Sequence, residues 1–187
     1  MTSEPTSRRE QILATAAELF AARGFHGVSV ADLGAACGVS GPAIYKHFAS
    51  KDAVLAEMLV SISQELLAVG RARVAKAPDA VAALVSLVDW HAGFALRHPP
   101  LIVVQDRDWQ SLPSEARERV RSPQREYVDL WAEQLRLVHA DLGADRARAM
   151  AHAAFGLINS TPHSGLLPDP QMREVLSRMA TGSLGLR

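Results

Sequence analysis

Residues 30–48 read VADLGAACGVSGPAIYKHF, and this stretch decides the fold. Ser29, with Asp32 three residues on, opens a short helix. Gly38 supplies the freedom for a positive φ in a tight turn, and Ser40 before Gly41 and Pro42 caps a second short helix. Two short helices joined in this way form a helix-turn-helix, whose second helix enters the major groove of DNA. Its inward face must then be apolar and its outward face polar. Ile44 and Phe48 meet the first demand, and Gly41, Pro42, Ala43, Tyr45, Lys46 and His47 are left for the second. Small residues at the helix start allow close approach to base edges, so Ser40, Gly41, Ala43 and Lys46 are the expected base readers. Tyr45 can give its hydroxyl to a phosphate, and Lys51 with the amides at the Ser29 and Ser50 helix starts adds phosphate contacts.

Working outward, Ser7 and Glu10 form a capping-box signature ahead of an apolar stripe of Ile12, Leu13, Ala16, Leu19 and Phe20, which Gly24 ends. Residues 1–6 read as a short mobile arm. Ser50 with Asp52 opens a long amphipathic helix carrying Leu55, Met58, Leu59, Ile62, Leu66 and Val69 on one face to about Val74. Residues 76–79 mark a boundary. Residues 80–96 are apolar nearly all round, which requires burial inside a bundle. Pro99 and Pro100 end that helix and a short one follows to Trp109. Another runs to about Ala140 with a break or kink at Ser122 and Pro123, and helices at 144–161 and from Asp169 complete the chain. The expected fold is all-α: a head at residues 1–50, a linking helix at 51–75 and a helical bundle at 76–187.

Composition sets limits. With 48% hydrophobic residues in 187, the chain can bury a sizeable core, and one cysteine, Cys37, excludes an internal disulfide. Cys37 reads as a small core residue. The first 30 residues lack the pattern of a secretion signal, and the apolar stretches are interrupted at Asp89 and at Arg97–Pro100, so the expectation is a cytoplasmic protein with no membrane partner. The 20 basic and 20 acidic residues cancel, which lends no support to DNA binding. Even residues 1–51 set Arg8, Arg9, Arg23, Lys46 and Lys51 against Glu4, Glu10, Glu18 and Asp32. The DNA reading therefore rests on pattern.

The run GVSGPAIYKHFASKDAVL at 38–55, preceded by RREQILATAAELFAARGFHGVSV at 8–30, resembles the TetR family of transcriptional regulators, and the likeness spans residues 7–55. The resemblance implies a three-helix DNA-binding head, a fourth helix leading to a helical ligand domain, and a homodimer paired through its last two helices on a palindromic double-stranded operator. A small-molecule effector would release a repressor of this kind from DNA. The face of Ala147, Ala151 and Ala154 beside the Met172–Met179 stripe is the expected dimer surface.

In the bundle, Trp90, His91 and Phe94 followed by Arg107, Trp109 and Trp131 give the mix of apolar walls and few polar groups that a small-molecule pocket needs. Arg107 is the preferred anion partner. Asn159 and His163 are further ligand candidates, with a buried hydrogen bond and a helix-end cap as their ordinary alternatives. QDRDWQSLPSEARERV at 105–120 and INSTPHS at 158–164 resemble regulators of fatty-acid and acyl-CoA breakdown, which points to an apolar or amphipathic, acyl-CoA-like ligand. Glu115, Glu118 and Glu126 should pair with Arg117, Arg119 and Arg125 as solvated networks. The alternatives are a DNA-binding dimer without ligand control, and a helical enzyme. HExxH, CxxC, GxxxxGK[ST] and GxSxG are all missing, so no catalytic residue, metal site or cofactor is expected.

Overall fold

Ser7 accepts a hydrogen bond from the Glu10 N–H while the Glu10 carboxylate accepts one from the Ser7 N–H, and this reciprocal cap starts helix α1 (Arg8–Arg23). The computed structural model describes residues 7–163 and 166–186; the arm at 1–6 and Ser164 lie outside them. Ser29 and Asp32 form a second capping box on α2 (Val30–Ala36), and a four-residue α3 (Gly41–Ile44) follows. The Ser50 hydroxyl takes the Ala53 N–H at 3.0 Å at the start of α4 (Lys51–Lys76). Asp79 caps α5 (Ala80–Arg97), and α6 (Pro99–Asp108) runs into a 3-10 turn at Trp109–Ser111. Then come α7 (Ser114–Val138), α8 (Ala144–Ile158), a 3-10 turn at Thr161–His163 and α9 (Asp169–Ser183). Every regular element among the described residues is helical, as the sequence requires.

The chain divides into two compact units, Met1–Ile62 with Pro100–Val120, and Ser63–Pro99 with Arg121–Arg187. The sequence reading put the divisions at residues 50 and 75. The structure instead joins α6 and the first part of α7 to the head, and α4 and α7 contribute to both units. Of the break or kink expected at Ser122 and Pro123, a break is not seen, since α7 continues through Pro123; the division between units falls between Val120 and Arg121.

In the first unit Ile12, Phe20, Leu33, Ile44, Leu55 and Leu59 are fully buried, so α1 to α4 share one core. Gly38 adopts φ 67° in the turn. A Cβ at Gly34 would lie 2.7 Å from the Gly41 nitrogen and 2.9 Å from the Val39 oxygen, so α2 meets the turn backbone to backbone. Arg117 departs from the solvated network expected of it: its guanidinium donates to the Leu112 and Gln110 carbonyls and closes the 3-10 turn.

In the second unit Leu84, Leu87, Trp131, Leu135, Ala151 and Ile158 form the buried centre. Asp89 on α5 ties two neighbours to that helix, taking Arg173 of α9 at 2.7 Å and Arg73 of α4 at 3.5 Å. Ala147, Ala151 and Ala154 are buried within their own chain, at 0%, 0% and 1% exposure, and so cannot serve as the dimer surface expected of them. Their missing side-chain bulk is what lets α8 pack inside the bundle. Met179, 54% exposed, is the member of the α9 stripe that faces outward. Contrary to the sequence reading, α4 and α5 are each long and apolar enough to span a bilayer; more than half of each apolar window is buried, as a core helix demands.

Gly34→Ala is expected to destabilise the first unit by about 1–3 kcal/mol, since the atoms it would strike are backbone. A lower urea midpoint, with the far-ultraviolet helical signal retained before melting, is the result to look for.

Candidate DNA interface and ligand site

The second helix of the motif is short because regular α-helical bonding gives way after Ile44 to a mixture of three- and four-residue turns. The Lys46 N–H bonds the Ala43 carbonyl at 3.2 Å, and the His47 and Phe48 N–H groups both bond that of Ile44, at 2.9 and 3.0 Å. Ile44 and Phe48 are buried, at 1% and 3% exposure, and Tyr45 is 56% exposed. Pro42, Lys46 and His47 are exposed with it, while Gly41 and Ala43 are half-buried at the start of the same element. Ser40 has the extended backbone of an N-cap, yet its hydroxyl makes no capping bond. Pro42 has no N–H to offer, and the Ala43 N–H is taken by the Ser40 carbonyl at 2.9 Å. The Ser40 hydroxyl is thereby left without a capping role, on a residue that is exposed like Tyr45 and Lys46.

Other head residues already have partners within the unit. Lys51 Nζ donates to the carbonyls of Phe25 at 2.8 Å and Val28 at 2.7 Å, and lies 4.2 Å from the centre of the Phe25 ring. The expected phosphate contact by Lys51 thus has one ammonium hydrogen left. The Ser29 side chain is engaged with Asp32, and the hydroxyl and then the N–H of Ser29 hold that carboxyl below its ordinary range. Arg9 pairs with Glu57, and Arg8 reaches the carbonyl of the half-exposed Cys37, which ends α2.

The expected ligand residues separate. Arg107 and Trp109 belong to the first unit. The Arg107 guanidinium donates to the Ala21 carbonyl at 3.0 Å, to that of Phe20, and to the buried Asp108. It caps the C-terminal end of α1, where a cation is favoured, and its forked donors are occupied there; the anion-partner role expected of it gives way to this one. His163 is exposed in its 3-10 turn. Trp90, half-buried, lies 6.2 Å from Phe94 and under the guanidinium groups of Arg73 and Arg97.

His91, Trp131 and Asn159 do come together, joined by Tyr127 and Phe155, which the sequence reading did not select. The His91 ring stacks on Phe155 at 4.8 Å and on Tyr127 at 5.8 Å, and Trp131 stands edge-on to Phe155 at 4.9 Å. Tyr127 and Trp131 are four residues apart on α7, a spacing that puts both on one face. His91 Nε2 lies 3.1 Å from Asn159 Oδ1; an amide oxygen only accepts, so the hydrogen sits on Nε2 and Nδ1 keeps a lone pair. Burial pulls the imidazole down to about 4, against the opposing effect of that hydrogen bond, and His91 is neutral at pH 7. His91 Nδ1, the Tyr127 hydroxyl and the Trp131 indole nitrogen are buried without a partner in full hydrogen-bond geometry, as is the Trp90 nitrogen, although the Trp131 indole N–H is near enough to the Tyr127 hydroxyl to work against the upward pull of burial on that phenol.

A helix-turn-helix with an exposed polar face, in a chain whose other unit is a helical bundle around a polar-edged aromatic cluster, defines a DNA-binding transcriptional regulator with an effector domain. Comparison with known proteins fixes the family. Residues 12–58 match bacterial regulatory proteins of the tetR family, and residues 43–163 match the tetracyclin repressor-like C-terminal domain. The second match covers more than half of the chain, which belongs to the TetR family: it is a ligand-responsive DNA-binding repressor that acts as a homodimer. The HTH-type transcriptional repressor KstR2 of Rhodococcus jostii strain RHA1 is 29% identical over 161 residues, 86% of this chain and 78% of that protein. A TetR-family regulator from Bordetella parapertussis 12822 superposes with a TM-score of 0.82 at 25% identity, over 92% of this chain and 93% of that one. FadR of Bacillus subtilis, solved in complex with stearoyl-CoA, shares the fold with a TM-score of 0.74 at 17% identity, over 94% and 95% of the two chains.

The depressed folded-state value of His91 favours its neutral form, so the stability it contributes is present above pH 6.5 and is lost as the pH falls toward 4. The full loss is about 3 kcal/mol. Urea unfolding from pH 7.5 to 4.5 should show wild type losing stability more steeply than His91→Gln; parallel curves would remove His91 as the cause.

Proposed function

We propose that the effector is an acyl thioester of coenzyme A, and that the protein works in the cytoplasm as a regulator that catalyses no reaction. The observation that carries this reading is the set of three buried, unpartnered polar atoms on His91, Tyr127 and Trp131 among apolar rings. Each costs about 1–3 kcal/mol unless something pairs with it. The indole nitrogen donates only, and the phenol donates or accepts. A carbonyl oxygen on an otherwise apolar ligand accepts from both, and a thioester carbonyl at the head of an acyl chain meets that description. FadR of Bacillus subtilis, which shares the fold, binds stearoyl-CoA, in keeping with this class.

On the DNA side, Ser40, Gly41, Ala43 and Lys46 read base edges, and Tyr45 and His47 hold phosphates beside Pro42. Ser29 and Lys51 contribute through backbone amides and the remaining ammonium hydrogen. The effector must bind the released state better than the operator-matched state, and a coupling of about 1–3 kcal/mol changes operator affinity roughly 5- to 150-fold.

Fluorescence anisotropy with DNA flanking the protein's own coding region tests both halves. Octanoyl-CoA is expected to release the wild-type protein, with Trp131→Phe and Tyr127→Phe each needing about tenfold more of it. Specific binding that octanoyl-, isovaleryl- and stearoyl-CoA all leave unchanged would overturn the effector assignment in favour of a regulator without this ligand control. Tyr45→Ala should weaken operator binding about tenfold at fixed salt, with an unchanged melting temperature because the side chain is exposed; unchanged affinity would remove Tyr45 from the interface.

A further inference from the structure

We propose that the effector's acyl chain carries a hydroxyl on its third carbon, close to the thioester, and that His91 Nδ1 is the atom that selects it; the inference rests on the acyl-thioester reading above. Each unanswered atom of the aromatic cluster requires a partner of definite sense. The Trp131 indole nitrogen only donates, and the Tyr127 hydroxyl has one hydrogen to give. A carbonyl oxygen serves both. It cannot serve His91 Nδ1, because the bond from Nε2 to Asn159 Oδ1 places the ring hydrogen on the other nitrogen, and burial keeps the imidazole neutral at pH 7. What Nδ1 lacks is a donor.

Among the described residues no donor reaches that atom. The His91 plane lies 12° from that of Tyr127 and 5° from that of Phe155, so a lone pair in the imidazole plane runs alongside both rings and not into them. The Trp131 N–H is near the Tyr127 hydroxyl instead. His91 and Tyr127 are each 4% exposed and Trp131 is fully buried, which keeps bulk solvent from supplying the missing hydrogen. The ring centres stand close, 5.8 Å from His91 to Tyr127 and 6.2 Å from His91 to Trp131. The acceptor and the donor that complete the set therefore belong near one another on the ligand. A thioester carbonyl with a hydroxyl two carbons along meets this condition, and a hydroxyl at the far end of the chain does not. A saturated chain leaves Nδ1 unanswered, and a ketone on the third carbon sets an oxygen lone pair against it. Asn159 is the positioning residue, since its side-chain oxygen decides which imidazole nitrogen is the acceptor. Its main-chain N–H caps α8 on the Phe155 carbonyl at 2.7 Å without help from that side chain.

Calorimetry on the wild-type dimer, His91→Phe and Asn159→Leu tests the assignment, with octanoyl-, 3-hydroxyoctanoyl-, 3-oxooctanoyl- and 8-hydroxyoctanoyl-CoA, octanoate and 3-hydroxyoctanoate as ligands. Wild type should bind 3-hydroxyoctanoyl-CoA about tenfold more tightly than octanoyl-CoA, with no gain from the 3-oxo or 8-hydroxy group. His91→Phe should bind the 3-hydroxy and unsubstituted thioesters equally. Asn159→Leu frees the imidazole to carry its hydrogen on Nδ1, so this variant should gain about tenfold for the 3-oxo compound over octanoyl-CoA, a change that loosened packing does not produce. Equal wild-type affinity for octanoyl- and 3-hydroxyoctanoyl-CoA would overturn the hydroxyl and leave the acyl-thioester reading standing. So would a wild-type gain from the 3-oxo group as large as that from the hydroxyl, or a hydroxyl preference that survives in His91→Phe, because Nδ1 would then not be the reader. Preference for 3-hydroxyoctanoate over octanoate, with no thioester bound, would keep the hydroxyl and overturn the thioester. Binding of none of these compounds would overturn both readings.

Discussion

The backbone around Ser40 lies so close to Gly34 that no side chain fits between them, and the orientation of the DNA-reading element follows from that contact. A helix of four residues has too few internal hydrogen bonds to hold itself in place. It is positioned by its neighbours: Gly34 beneath the turn, Gly38 bending the chain, and Ile44 and Phe48 seated in the core shared by α1 and α4. Lys51 then fastens the loop after α1 to the start of α4 through the Phe25 and Val28 carbonyls. These contacts meet at a few backbone atoms and together set the local geometry of the motif.

How much of this could be read from the chain depends on the range of the force. The reciprocal caps at Ser7 and Ser29, the Ser50 cap and the positive φ of Gly38 are local, set by residues within one turn, and the sequence displays them directly. The inward and outward faces of the motif followed from helical spacing. Lys51 and Arg107 behaved differently, because each binds main-chain carbonyls brought near by folding, and a carbonyl has no letter of its own. Tyr127 and Phe155 were overlooked for a related reason: their partner, His91, is on a helix distant in sequence, and a ring stack leaves no spacing rule across such a gap. The alanines of α8 read as a contact surface because small residues suit close helix packing; their use inside the chain obeys the same rule.

The two units handle polarity in opposite ways. In the head Arg9, Asp32, Lys51 and Arg107 each have an answering group, and Ser40, which caps nothing, is exposed. The second unit encloses a neutral imidazole answered on one edge by Asn159, with its other nitrogen, a phenol and an indole left short of full hydrogen bonds, within a bundle braced by Asp89 between Arg73 and Arg173. A bundle braced at its polar seams can carry unpaired interior groups that would loosen a smaller fold, and those groups favour whatever molecule completes them.

The pairing of the head's cations within their own unit bears on how the repressor finds its site. Of the basic side chains in residues 8–51, Arg9 and Arg23 face carboxylates, Arg8 and Lys51 face carbonyls, and Lys46 projects from the motif itself. Attraction to DNA of arbitrary sequence scales with the phosphates a protein neutralises, and this head has little charge to spare for it. The bulk of the chromosome is therefore a poor competitor, and a larger fraction of the molecules in a cell is free to occupy operators or to meet effector. Such a regulator can be kept at low copy number and still respond to small changes in metabolite concentration.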